Sequence, residues 1–442
     1  MSNKRLSFKK SKAFTRDLER LVPGGAHTYS KGCDQFPENA PNGITHGLGA
    51  RVWDADGNEL IDWSMGLTAV SLGHAHPDVN KAVCDVIQSG VNFQRPAALE
   101  LQAAETVLNL TGTDMVKFAK HGSSVTTAAV KLARAFTGRT KVAVPREQPF
   151  FSFDDWFIGI TAADFGVPES LKQFSLTFSY NDIASLHALF KDHPGEIACV
   201  MLEPTKFDAP EDDFLHKVRE LCIANGAVLV LDEMVTGVKF GVPGASKYFG
   251  VEADLYTYGK GIANGFTAAA LTGRGDIMRQ GGLEPEGARK LFLLSTTHGA
   301  ESSGLAAMIK TIDVLKDGTL ISANWETGRK IRVGVEAAIA QHGLQDRLKL
   351  VGYPCLLALA VQDDEGKDDA PMRTYMMQEM IAQGVLFQGL FYATPSHGER
   401  EVNETLTAFD AACSAVAEAV ALGSVAGLLQ GPVVKPVFRH NN

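Results

Sequence analysis

Three short apolar runs, each closing on polar residues, recur through the middle of the chain: "IACVMLEP" (197–204), "AVLVLDE" (227–233) and "FTAAALTGR" (266–274). Continuous rather than alternating hydrophobicity suits strands covered on both faces, as in parallel sheets. Helical patterns lie around them, in "FLHKVRELCIANG" and, upstream, in "HPDVNKAVCDVIQSG" and "ALELQAAETVLNL". This alternation predicts an α/β fold with a central, mostly parallel sheet. Sheets of that kind bind ligands beyond the carboxyl ends of their strands. Three polar features stand at such ends: Glu203, Asp232 and the loop carrying Lys260.

A chain of 442 residues exceeds one simple core, so two or three structural units are expected. The first segment contains "GARVWDADGNELIDW", which reads as a β-hairpin turning at Asp56-Gly57. From roughly residue 325 the texture changes, ending in the helical "NETLTAFDAACSAVAEAVAL". The expected organisation is an N-terminal segment (1–75), a large domain (76–325) and a C-terminal small domain (326–442). A formal net charge of −9 argues against nucleic acid as a partner. No run of 18 or more apolar residues occurs, so no membrane span is expected. The basic opening "MSNKRLSFKKSKAF" has no apolar core of a secretory signal, and the cytoplasm is the expected compartment. Six scattered cysteines without a CxxC pair read as buried thiols in a reducing compartment. His74 and His76 in "GHAHP" have no further ligand nearby, so they read as structural and no metal is expected.

The stretch "DLYTYGKGIANG" (254–265) sets Lys260 between two glycines, as if something flat must lie against its backbone. Asp232, 28 residues earlier, closes its apolar run. It reads as a capping carboxylate, as a nucleotide-hydrolase carboxylate, or as a buried acid facing a positively charged ring nitrogen. The second reading needs a GxxxxGK[ST] loop, which the chain lacks. "GLGARV" (47–52) begins a dinucleotide fingerprint but has Val52 for its third glycine, and it is discounted. In "AKHGSSVTTAAVKLARAFTG" (119–138), Val125, Ala129, Leu132, Ala133 and Phe136 fall on one helical face. Its opening Gly-Ser-Ser reads as a serine N-cap and as a phosphate cradle of backbone N–H groups. A phosphate at a helix start, a carboxylate for a ring nitrogen and an imine-forming lysine together match pyridoxal 5'-phosphate (PLP).

At these residues the sequence resembles class III PLP-dependent aminotransferases, and most the branch of glutamate-1-semialdehyde aminomutases. "DEMVTGVKFG" followed by "YFGVEADLYTYGKGIANG" is similar to that family's aspartate-to-lysine block, with support from "GNELIDW", "SLGHAHPDV", "ARAFTGRTK" and "LEP". The resemblance implies a fold-type I transferase with a seven-stranded sheet, working as a homodimer. It implies that Lys260 holds the cofactor as a Schiff base and moves protons, and that Asp232 pairs with the pyridine nitrogen. Met234 would pack beneath the ring, and Gly122, Ser123 and Ser124 would hold the phosphate. Thr297 would reach the phosphate at the partner subunit's site, and Glu203 would lie near the cofactor's hydroxyl edge. Phe150 or Phe151, in "QPFFSFDDW", would stand over the ring. Substrate contacts depart from the branch: Lys31 replaces an arginine, and Gly66-Leu67 replaces a Ser-Trp pair. His27, Thr28, Tyr29 and Lys31 then suit a larger, hydroxylated aldehyde. "KHGSSVTTAAVKLAR" and "EQPFFSFDDWFIG" resemble a sub-branch that aminates sugars. The expected small-molecule partners are an amino donor, glutamate, and a sugar aldehyde, with the aminomutase reaction as the alternative.

Overall fold

The computed structural model describes residues 6–284 and 286–441, and the first five residues of the basic opening lie outside that range. The chain divides into two compact units: Thr68–Ser71, Pro77–Ile321 and Phe438–Asn442 form one, and Met1–Leu67, Leu72–His76 and Ser322–Val437 form the other.

The first unit is built on seven strands, in chain order β1 (Met115–Ala119), β2 (Lys141–Pro145), β3 (Ser175–Phe178), β4 (Ile197–Leu202), β5 (Val228–Asp232), β6 (Leu255–Tyr258) and β7 (Ala269–Gly273). Their spatial order is β1-β7-β6-β5-β4-β2-β3. β7 runs antiparallel to both neighbours, and every other pairing is parallel. The three apolar runs of the sequence are β4, β5 and β7, so one of them is the antiparallel strand. Both faces of the sheet are covered. Along β5, Val228 and Val230 join a cluster with Val125, Ala129, Leu132 and Ala133 of the helix Gly122–Thr137. Leu229 and Leu231 point the other way, into a cluster with Leu186 and Phe190 of Ile183–Asp192 and Val218 and Cys222 of Phe214–Asn225. Each fully buried aliphatic side chain of this kind contributes about 1.5–3 kcal/mol. Phe136 departs from the expected face: the cluster ends at Ala133, and Phe136, in the last turn, is 40 % exposed.

The second unit joins the N-terminal segment to residues 322–437. The hairpin forms between Arg51–Trp53 and Glu59–Asp62, with Gly57 at φ +83. Asp54 Oδ1 shapes the turn by accepting the N–H groups of Asp56 (3.0 Å) and Asn58 (2.8 Å). Glu59–Asp62 also pairs in parallel with Val385–Leu386. Arg51 reaches Glu401 (2.9 Å) and Glu404 (2.7 Å) on the helix Glu399–Leu422. Trp63 is fully buried, stacks on His397 with centroids 4.0 Å apart, and donates from Nε1 to Thr405 Oγ1 at 2.8 Å. A second, antiparallel sheet holds Leu348–Tyr353, Leu356–Val361 and Leu390–Tyr392. The helix Thr319–Gln341 approaches it so closely that a Cβ at Gly328 would fall 1.6 Å from the Pro354 carbonyl oxygen. Among the described residues one helix, Glu399–Leu422, is long and apolar enough to cross a membrane, with a mean hydropathy of 1.4. Its residues Phe409, Ala412, Cys413, Val416 and Ala419 belong to this unit's core, which accounts for that composition. The expectation of buried thiols is corrected at Cys33 and Cys84, which are exposed.

Candidate active site

β5 ends on Asp232, and the register of β6 sets Thr257 opposite it. Thr257 Oγ1 and the Met234 N–H both donate to Asp232 Oδ1, each at 2.9 Å, while Oδ2 takes neither bond. The side chain is 2 % exposed. Burial and the neighbouring Glu203 carboxylate push its pKa up to about 7, against those hydrogen bonds and the charge of Lys260. A carboxyl in that state is complementary to a cation, which would restore the ionised form.

Lys260 opens the turn Lys260–Ala263 directly after β6. Its φ of +47 lies in the left-handed region, which costs a side-chain-bearing residue about 1–2 kcal/mol. Burial holds the amine below the ordinary lysine range. Glu203 and Asp232 oppose that shift and the Lys206 ammonium reinforces it. The neutral amine needed by a nucleophile or base is thereby favoured. The strands that lead to Glu203, Asp232 and Lys260 are neighbours in the sheet, so the three residues stand at adjacent strand ends.

Both flanking glycines have close protein neighbours. A Cβ at Gly259 would meet Met234 Sδ at 2.6 Å, and one at Gly122 would meet the same sulfur at 2.9 Å. Met234, 7 % exposed, thus sits between the helix start and the end of β6. A Cβ at Gly261 would meet Lys239 Nζ at 3.2 Å and Ser71 Cβ at 3.4 Å. Ser71 Oγ also donates to the Gly261 carbonyl at 2.5 Å, so Thr68–Ser71 is fastened to the lysine loop.

The helix Gly122–Thr137 begins after His121, whose side chain makes no cap. The serine N-cap expectation is corrected: Ser123 and Ser124 stand inside the first turn. Ser123 Oγ accepts the Phe153 N–H at 3.2 Å, and Ser124 Oγ meets His121 Nδ1 at 3.2 Å. The first N–H groups of a helix have no partner within it and can receive an anion.

Glu203 follows β4 and is 3 % exposed. The Gln148 amide clamps its backbone on both sides, accepting the N–H at 2.7 Å and donating to the carbonyl at 2.8 Å. Among the described residues Glu203 Oε2 is buried without a partner. Of the two phenylalanines, Phe151 is 2 % exposed, in edge contact with Phe157 in the core (5.6 Å), while Phe150 is 46 % exposed. Sequence reasoning passed over Phe153, whose exposed ring tilts against His121 at 5.2 Å beside the helix start. It also passed over Thr257, Gln148 and Lys206. The strand register finds the first, but no local pattern marks the other two. Thr297 is exposed, in a stretch without helix or strand. His27, Tyr29 and Lys31 are exposed and belong to the other unit. Gly66 and Leu67 have φ of +63 and +61, in a left-handed turn.

An uncapped helix start, a buried acid with its pKa raised, an acceptor without a partner among the described residues and a lysine held towards neutrality fit the phosphate, ring nitrogen, hydroxyl and aldehyde of PLP. Fold and site together define a PLP-dependent transferase of fold type I. Residues 35–391 match the family model of class III aminotransferases, and the chain belongs to that family. It is 28 % identical over 426 residues to a glutamate-1-semialdehyde 2,1-aminomutase of Lachnoclostridium phytofermentans, spanning 91 % of this chain and 98 % of the relative. It is 29 % identical to a 3-aminobutyryl-CoA aminotransferase of Cloacimonas acidaminovorans, over 87 % of this chain and 91 % of that one. The FumI protein of Sphingopyxis sp. MTA144, solved in its PLP internal aldimine form, superposes with a TM-score of 0.85 at 26 % identity, covering 93 % of this chain and 97 % of that one. The chain is a PLP-dependent class III aminotransferase.

Proposed function

We propose that the enzyme moves an amino group from glutamate to the aldehyde of a sugar acid, giving 8-amino-3,8-dideoxy-manno-octulosonate from the 8-oxo sugar for lipopolysaccharide synthesis. One observation carries this reading: the Lys260–Asp232 machinery is intact while the substrate side departs from the aminomutase branch. Lys31 stands where that branch has an arginine, and a lysine gives a point charge in place of a planar two-pronged grip. His27 and Tyr29 add hydrogen-bonding groups suited to a hydroxylated substrate.

Bound PLP supplies an aldehyde that takes up an amino group and a ring that draws electron density from the carbon losing its proton. Lys260 would hold the cofactor and, once released, move a proton from the donor carbon as a neutral amine. Asp232 Oδ2 would keep the ring-nitrogen proton in place. The N–H groups of Gly122, Ser123 and Ser124 would hold the phosphate, and Glu203 Oε2 would accept from the hydroxyl. Met234 would pack beneath the ring and Phe150 over it. Thr297 would act across a homodimer interface, at the phosphate of the partner subunit's site, in a cytoplasmic enzyme.

The aminomutase reaction is the second reading, supported by the relative of that name. It isomerises one molecule without an external donor. Initial rates with glutamate and the sugar aldehyde distinguish the two: a ping-pong pattern is expected, and turnover of glutamate-1-semialdehyde without any donor response would overturn the sugar reading.

A further inference from the structure

The loop leaving β4 carries a cation that the family resemblance did not nominate. Lys206 Nζ stands 3.7 Å from Glu203 Oε1, a pairing longer than a hydrogen bond. Among the described residues this ammonium donates no hydrogen bond. Its side chain is 28 % exposed, while that of Glu203 is 4 % exposed with Oε2 unpartnered. The backbone beneath it is fixed: Tyr180 Oη donates to the Pro204 carbonyl at 2.6 Å, and Thr205 Oγ1 donates to the Asp208 carbonyl at 2.6 Å. Two hydrogen bonds therefore hold the loop that presents this ammonium beside Glu203, at the end of β4 and next to the strand that ends on Asp232.

We propose that Lys206 is a specificity-determining residue whose ammonium binds the carboxylate of the amino-acid donor. The proposal rests on the transaminase reading. An amino-acid donor reacts where the Lys260 amine stands, and its carboxylate sits on the reacting carbon, so a cation is needed close by. Lys239 also lies against the lysine loop, but it is 2 % exposed. Lys206 has a flexible stem and partial exposure, so it can reach an incoming carboxylate while Glu203 stays buried.

The test is the donor half-reaction of the PLP-loaded enzyme, followed by its visible spectrum, with L-glutamate, L-alanine and carboxylate-free isopropylamine. Inhibition by glutarate, a dicarboxylate without an amine, gives a binding readout independent of chemistry. Lys206→Met is expected to lower the second-order constants for both amino acids, and to weaken glutarate, by about tenfold or more, the worth of a charge-assisted hydrogen bond. Isopropylamine should change by less than about threefold, and Lys206→Arg should restore much of the amino-acid rate. The proposal is overturned if Lys206→Met leaves glutarate binding unchanged, or slows amino acids and isopropylamine by the same factor. If the unaltered enzyme responds spectrally to none of the three donors, it is the transaminase reading that fails.

Discussion

Lys260 is held in a left-handed backbone conformation between two glycines that serve different neighbours. Gly259 has an extended φ of −175, so its small size, not its backbone freedom, is what the site uses. Gly259→Ala should push against Met234 Sδ and cost about 1–3 kcal/mol by overpacking. Thermal unfolding should show partial recovery in Gly259→Ala/Met234→Ala, because the second change removes the obstacle. Lys260→Ala should abolish turnover and the visible band of the bound cofactor, and full activity in that variant would defeat the mechanism. Asp232 gives a pH signature. In cofactor-free protein its native pKa of about 7 exceeds the unfolded value near 4. The native state then holds a proton that the unfolded chain has lost, so this group's contribution to stability falls as pH rises from about 4 to about 7. Cofactor-free Asp232→Asn should lose less Tm across that window than the parent. Lys260 and Asp232 were readable in the sequence because both close strand runs, where an open sheet presents its ligand site. The protein neighbours of the glycines were not readable, because Met234, Ser71 and Lys239 approach them only in the folded chain.

At the level of elements, the site is assembled by adjacency in the sheet. β4, β5 and β6 are neighbours, so Glu203, Asp232 and Lys260 emerge at one edge although 57 residues of numbering separate the first from the last. Strand types were legible from uninterrupted apolar runs. The antiparallel direction of β7 was not, because a strand covered on both faces has the same composition in either direction. The helix Gly122–Thr137 shows the reverse problem: its apolar face was legible up to Ala133, while its first residue depended on His121, a poor capping type. In the other unit, Gly328 lets a helix rest on the Pro354 carbonyl. Gly328→Ala has no flexible side chain to displace there. It is expected to cost at least about 3 kcal/mol and to appear as loss of soluble protein or a sharply lower Tm.

Over the whole molecule, the two chain ends contribute to one core, in which Ile61 and Trp63 pack with residues from Ile331 to Val434. Trp63→Ala should cost about 3–5 kcal/mol, read by chemical denaturation, since it removes a fully buried indole, its stack on His397 and its bond to Thr405. The strand Glu59–Asp62 is completed on one side by the hairpin but on the other only by Val385–Leu386. On the ribosome that second partner emerges about 320 residues later, which at about 5–20 residues per second is a wait of tens of seconds. Throughout that interval a nascent chain carries an open strand edge and an unshielded tryptophan. Its yield in the cell should therefore depend on holding factors that bind such surfaces, and chains stalled before residue 385 should be cut by protease near residue 60 where finished ones are not.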